Sequence, residues 1–73
     1  MTRYMVIYND KIDMIQKAYF TDDKNDARRR MFYVAFVIGR TAQLYDWNND
    51  NEAYSFSWRI EPEHLTTRKE INQ

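Results

Sequence analysis

The sequence predicts an α+β fold of order ββαββ, a four-stranded antiparallel sheet with one helix packed on it. Two observations set the strands: there are two pairs of segments rich in β-formers, each joined by a short polar link, and Tyr54 to Ile60 alternates large apolar with polar side chains. A third sets the helix. The apolar segment between the two pairs is preceded by Thr21, Asp22, Asp23 and Asp26 and followed by Gly39 and Arg40, the punctuation of a helix start and stop. At 73 residues the chain holds one domain, placed at residues 1–61 with a flexible C-terminal tail at 62–73. A domain of this size buries only ~60% of the surface its unfolded chain exposes, so its stability margin is thin.

The first hairpin pairs Tyr4 to Tyr8 (YMVIY) with Lys11 to Phe20 (KIDMIQKAYF), in which Ile12, Met14, Ala18 and Phe20 fall at alternate positions. Asn9 and Asp10 between them tolerate the positive φ of a tight turn.

The central stretch RRRMFYVAFVIGR, Arg28 to Arg40, is the most hydrophobic part of the chain. Its Val34, Val37, Ile38 and aromatics favour a strand by propensity, and an apolar run of this length is not decided by periodicity alone. The flanking acids, the glycine and the closing cation decide for a helix from about Lys24 to Ile38. At ~100° per residue, Ala27, Met31, Val34, Ala35 and Ile38 share one sector, the natural face for the sheet. Phe36 lies roughly opposite, with Arg29 and Phe32 near it, Tyr33 further round, and Arg40 continuing that side if the last turn holds.

The second hairpin pairs Leu44 to Trp47 with Tyr54 to Ile60 across the turn-forming link Asn48 to Asn51. Tyr54, Phe56, Trp58 and Ile60 alternate with Ser55, Ser57 and Arg59, which predicts one buried face carrying all four apolar side chains. Pro62 to Gln73 has only Leu65 and Ile71 as large apolar residues and reads as a mobile tail or one loose helical turn.

Composition narrows the function. Without cysteine there is no disulfide and no thiolate ligand, which fits a reducing bacterial or viral cytosol. Met1 to Tyr8 lacks a signal-peptide apolar core, and the longest apolar run, Met31 to Gly39, falls short of the ~20 residues that span a bilayer. The expected setting is the cytoplasm of a bacterial host cell, with no membrane partner. Charge is balanced overall but uneven: residues 1–44 carry eight basic and five acidic side chains, the remainder three and six. That polarity suits an oriented encounter or a head-to-tail association and is too small to imply nucleic acid by itself.

Catalytic patterns fail one after another. His64, the one histidine, lies in the tail and reads as solvated. Ser55 and Ser57 have no histidine base in reach by pattern, and one glycine cannot build a phosphate-cradling loop. Asp46, Asn48, Asp50 and Glu52 have the oxygen spacing of a calcium loop, but Asn51 stands where glycine is needed and Ser57 where a bidentate glutamate is needed. Asp22, Asp23 and Asp26 are explained by helix capping, and pairing with the arginines one turn on is the bland account of Arg28, Arg29 and Arg30. No enzyme activity, cofactor or metal is expected.

What remains is recognition. An exposed Phe32 and Phe36 flanked by Arg29, Tyr33 and Arg40 has the composition of an interface centre, since aromatics and arginine dominate hot spots. The competing account has the sheet curling round the helix, or the tail folding back through Leu65, to cover Phe36. Trp47 and the Asn48 to Asn51 tip form a second candidate surface. A nucleic-acid alternative uses Arg28, Arg29 and Arg30 on phosphates with Tyr54, Phe56 and Trp58 stacking bases; zero net charge and a helix laid over that aromatic face count against it.

A short cysteine-free chain with compact hairpins, many aromatics and no catalytic set resembles the small accessory proteins of bacteriophages and mobile elements. The resemblance rests on general character, not on a motif. It implies a non-enzymatic binding protein that modulates or inhibits a host protein. A homodimer through the outer helix face, or a homo-oligomeric assembly subunit, is the other protein-level reading.

Overall fold

A computed structural model describes residues 1–10 and 13–62. Four strands, β1 (Tyr4–Asn9), β2 (Gln16–Thr21), β3 (Ala42–Asn48) and β4 (Ala53–Ile60), form one antiparallel sheet in the order β2-β1-β3-β4. The helix α1 (Lys24–Tyr33) and a π-helical turn (Val34–Ile38) pack on one face, so the fold is the expected ββαββ arrangement. The expectations for the tail, for His64 and for Lys11 and Ile12 fall outside the described residues.

The link of the first hairpin is longer than the tight Asn9-Asp10 turn expected. The Asp10 N–H donates to the Ile15 carbonyl at 2.9 Å and the Met14 N–H to the Asp10 carbonyl at 3.0 Å, while the Asp13 carboxylate accepts from the Ile15 N–H. Met14 sits at φ 61°, the left-handed residue that reverses the chain. Asp13 offers the backbone an alternative to ladder pairing, and β2 starts at Gln16, with Asp13, Met14 and Ile15 outside it. The resulting register sets Val6 opposite Tyr19 and Met5 opposite Phe20.

The helix begins as the acidic cluster predicts. Asp23 is the N-cap, in extended geometry, and its carboxylate accepts from the Asn25 N–H at 2.9 Å, satisfying one of the orphan donors of the first turn. Asp26 lies in that turn, where negative charge suits the helix dipole. At the other end the spacing widens: the Gly39 N–H reaches back to the Val34 carbonyl at 2.8 Å, a π-type bond, and Gly39 adopts φ 79°, which its missing Cβ permits. The inner sector meets the sheet as expected. Ala27, Met31, Val34 and Ala35 are buried and Ile38 packs beside them, against Val6 and Tyr4 of β1, Ala42 and Leu44 of β3 and Ile60 of β4.

In β4 the structure departs from the alternation. Trp58 pairs with Leu44, but Phe56 pairs with Tyr45, so two consecutive β3 residues face three of β4 and Ser57 is the unpaired residue of a β-bulge. One extra residue in a period-two strand reverses every side chain beyond it. Trp58 and Ile60 therefore stay on the helix side, whereas Tyr54 and Phe56 turn to the opposite, open face, with Phe56 57% exposed. The expectation of four apolar side chains on one buried face is corrected accordingly, and with it the expectation that the helix covers all the aromatics of this strand.

Candidate functional site

The outer surface of the helical segment carries the largest exposed apolar side chains near its centre. Phe36 is 73% and Val37 64% exposed, and Phe32 and Tyr33 are also exposed. All four lie outside the buried sector of Ala27, Met31, Val34 and Ala35, so the helical segment leaves several large apolar side chains on its outer surface. Phe32 is anchored edge-on against Trp58, with ring centres 6.1 Å apart. The expectation that the sheet curls round to cover Phe36 is not met.

The arginines stand at the margins in different ways. Arg29 is exposed. The Arg28 guanidinium lies over the Trp58 ring at 5.7 Å, and Arg30 is held between Tyr19 at 4.2 Å and Tyr33 at 5.3 Å. Among the described residues no carboxylate comes within ion-pair distance of Arg28, Arg29 or Arg30. The pairing of these arginines with Asp22, Asp23 and Asp26 does not form, because each acid is otherwise engaged. Asp22 accepts from the Arg3 N–H, Asp23 caps the helix, and Asp26 accepts from the Tyr19 hydroxyl at 2.8 Å. That hydroxyl, then Thr21, then the more distant charge of Arg29 and Arg30 hold the Asp26 carboxyl below its usual range.

One expected member of the helix face, Arg40, lies elsewhere, and the second candidate surface around Trp47 is on the other side of the sheet. Arg40 does not continue the aromatic face: after the π turn and the left-handed Gly39 its Nε donates to the Asn9 carbonyl at 2.9 Å, tying the end of the helical segment to β1. Trp47 belongs to the open face of the sheet, 5.1 Å from the Tyr54 ring, and its indole N–H donates to Asn49 at the hairpin tip. Val37 was not singled out from the sequence. Its helical angle outside the buried sector was the available signal, masked by an apolar identity that reads as core.

The arginine triplet and the strand aromatics of the nucleic-acid alternative are separated by the sheet, since Tyr54 and Phe56 lie on the face away from the helix and only Trp58 shares the helix side. Among the described residues no three His, Cys, Asp or Glu side chains gather as a metal site, and no helix is long and apolar enough to cross a membrane. By fold the chain is a small α+β domain with two unlike exposed faces. Comparison with family models, with curated proteins and with solved structures found no match.

Proposed function

We propose that this chain is a non-enzymatic protein-binding module that engages its partner through Phe32, Tyr33, Phe36 and Val37, with Arg29 at the margin. The observation that carries this reading is the exposed apolar patch on the helical segment, on a domain so small that every large side chain left in water is withheld from its core. From Ala27 to Arg40 the segment carries four arginines and no carboxylate, which favours a partner with an acidic rim around an apolar centre. A π turn lies in the same segment, and such turns are frequent at functional sites. The likeness to phage accessory proteins adds the expectation that the partner is a host protein whose activity is blocked or redirected.

The test is affinity capture from bacterial lysate by the tagged chain and by Phe36→Asp, each with and without nuclease. A stoichiometric, nuclease-resistant protein recovered by the parent and lost with Phe36→Asp supports the reading, provided circular dichroism and melting of the variant match the parent. A protein still captured by Phe36→Asp sinks it. A variant that unfolds makes Phe36 a core residue and sinks it equally. The nucleic-acid reading keeps one favourable observation, the outward Tyr54 and Phe56. Its signature would be recovery abolished by nuclease and weakening steeply with salt, which a desolvated phenylalanine contact does not show.

A further inference from the structure

The open face of the sheet is not the polar face that a one-sided antiparallel sheet normally shows to water. Following the register across the four strands, Phe20, Met5, Tyr45 and Phe56 form one row, and Ala18, Ile7, Gln43 and Arg59 form the next. Beyond the first row Trp47 pairs with Tyr54, whose ring lies 6.3 Å from Phe20. Phe20 and Phe56, on the two edge strands, are both more than half exposed. The sheet is thus apolar on both sides, and among the described residues a helix covers one of them.

We propose that this face packs against the same face of a second copy, giving a two-fold dimer layered helix, sheet, sheet, helix. Its chemistry favours a copy of itself over a charged ligand. Arg59 is the one charged residue placed on this face within the paired strands, and it is compensated inside its own chain by Glu61 at 3.5 Å, so two such faces meet without like-charge repulsion. The polar hydrogens are also already placed. The Tyr45 hydroxyl donates to Gln43, the Tyr54 hydroxyl to the Thr2 carbonyl and the Trp47 indole N–H to Asn49, so covering these rings strands no donor.

The area fits a modest dimer. Four strands ~4.8 Å apart and about six residues long give a face of about 400 Å² in flat projection before side-chain relief is added. A pair of faces gives about 800 Å² in flat projection, and the relief of the aromatic side chains carries the total toward the ~1,200 Å² at which specific interfaces begin. The expected dimer is therefore concentration-dependent. Its outer layers would be the two helical segments, which leaves the proposed partner-binding patches free on both sides and makes the assembly bivalent.

Sedimentation velocity across a dilution series of the full chain is the direct measurement, with Phe56→Glu, Phe20→Lys and Phe36→Asp run beside it. The proposal expects a reversible dimer in the parent and in Phe36→Asp, and monomers in Phe56→Glu and Phe20→Lys with the parent's circular dichroism. The two open-face variants lie on opposite edge strands, so misfolding of one leaves the other as the test. Failure of both to fold would overturn the proposal by making the face part of the monomer's core. A parent that stays monomeric to the solubility limit overturns it, as does a dimer lost in Phe36→Asp but kept in the other two. Binding of a single-stranded oligonucleotide by the parent that is lost in Phe56→Glu would assign the face to nucleic acid instead. None of these outcomes depends on whether a foreign partner is captured through the helical segment.

Discussion

Aromatic side chains here divide according to what holds them. Tyr19 packs on the core, gives its hydroxyl to Asp26 and supports the Arg30 guanidinium on its ring face, so one side chain links β2, the first turn of the helix and a flanking cation. Phe36, four residues beyond the Phe32 that rests on Trp58, is among the most exposed large apolar side chains. The Asp26 contact has a pH consequence. A carboxyl held below its ordinary value in the folded state contributes stability that is fully present above the unfolded value, near 4, and is lost as pH falls through the lower folded value. Tyr19→Phe, which removes the largest cause of that depression, should therefore reduce stability at neutral pH and flatten its decline on the acid side of pH 4. Urea titrations at neutral and acid pH check this, and parallel losses in parent and variant would show that the hydroxyl does not act through the Asp26 charge.

At the scale of the elements, the helix ends and the bulge do most to place the candidate surfaces. The Asp23 cap starts the helix where Ala27 and Met31 fall toward the sheet, and the π turn with Gly39 ends it while sending Arg40 to β1. Both ends were legible as acids before the segment and Gly-Arg after it, because capping is local chemistry. The widened last turn, whose residues Val34, Ala35 and Ile38 lie in or against the core, was not, because no local pattern in the sequence marks it. Ser57 had no sequence signal either. An uninterrupted alternation reads as a regular strand, and the bulge depends on which β3 residue each side chain meets. Deleting Ser57 should remove the bulge and leave a regular ladder in which Phe56 directly precedes Trp58, with Trp58 and Ile60 still on the helix side and Tyr54 and Phe56 still on the open face. The deletion should therefore keep a cooperative melting transition, and Ser57→Ala, at an exposed position, should stay within ~0.5 kcal/mol of the parent. A deletion variant that loses cooperative melting would mean that the local twist of the bulge, and not only the register, seats Trp58 and Ile60 in the core.

For the whole molecule, a stability of ~0.05–0.15 kcal/mol per residue gives about 4–11 kcal/mol over the chain. The core resting on the sheet is small, and Met31, Val6 and Val34 are its largest fully buried side chains. Met31→Ala, at the centre of the helix's inner sector, should cost ~2–5 kcal/mol, about half the total, and leave a measurable unfolded fraction at ambient temperature. A chemical-denaturation midpoint within error of the parent would show that the site collapses around the smaller side chain or that the core is not confined to the helix side. So thin a margin makes two exposed apolar faces informative, because apolar side chains kept in water add nothing to folding, and this is the ground of the two proposed contact surfaces.

The sequence by itself determined the number, order and type of the elements, the limits of the helix and the inward sector of its residues. Each of these follows from local dihedral preference, capping and periodicity, which act over a few neighbouring residues. Only the tertiary structure decided that Tyr54 and Phe56 leave the helix side, that Arg40 is drawn to β1, and that β1 lies at the sheet's centre beside β3. These outcomes depend on register between segments far apart in the chain. A one-residue shift in a strand exchanges its faces, and nothing local to that strand fixes which residue will stand opposite which.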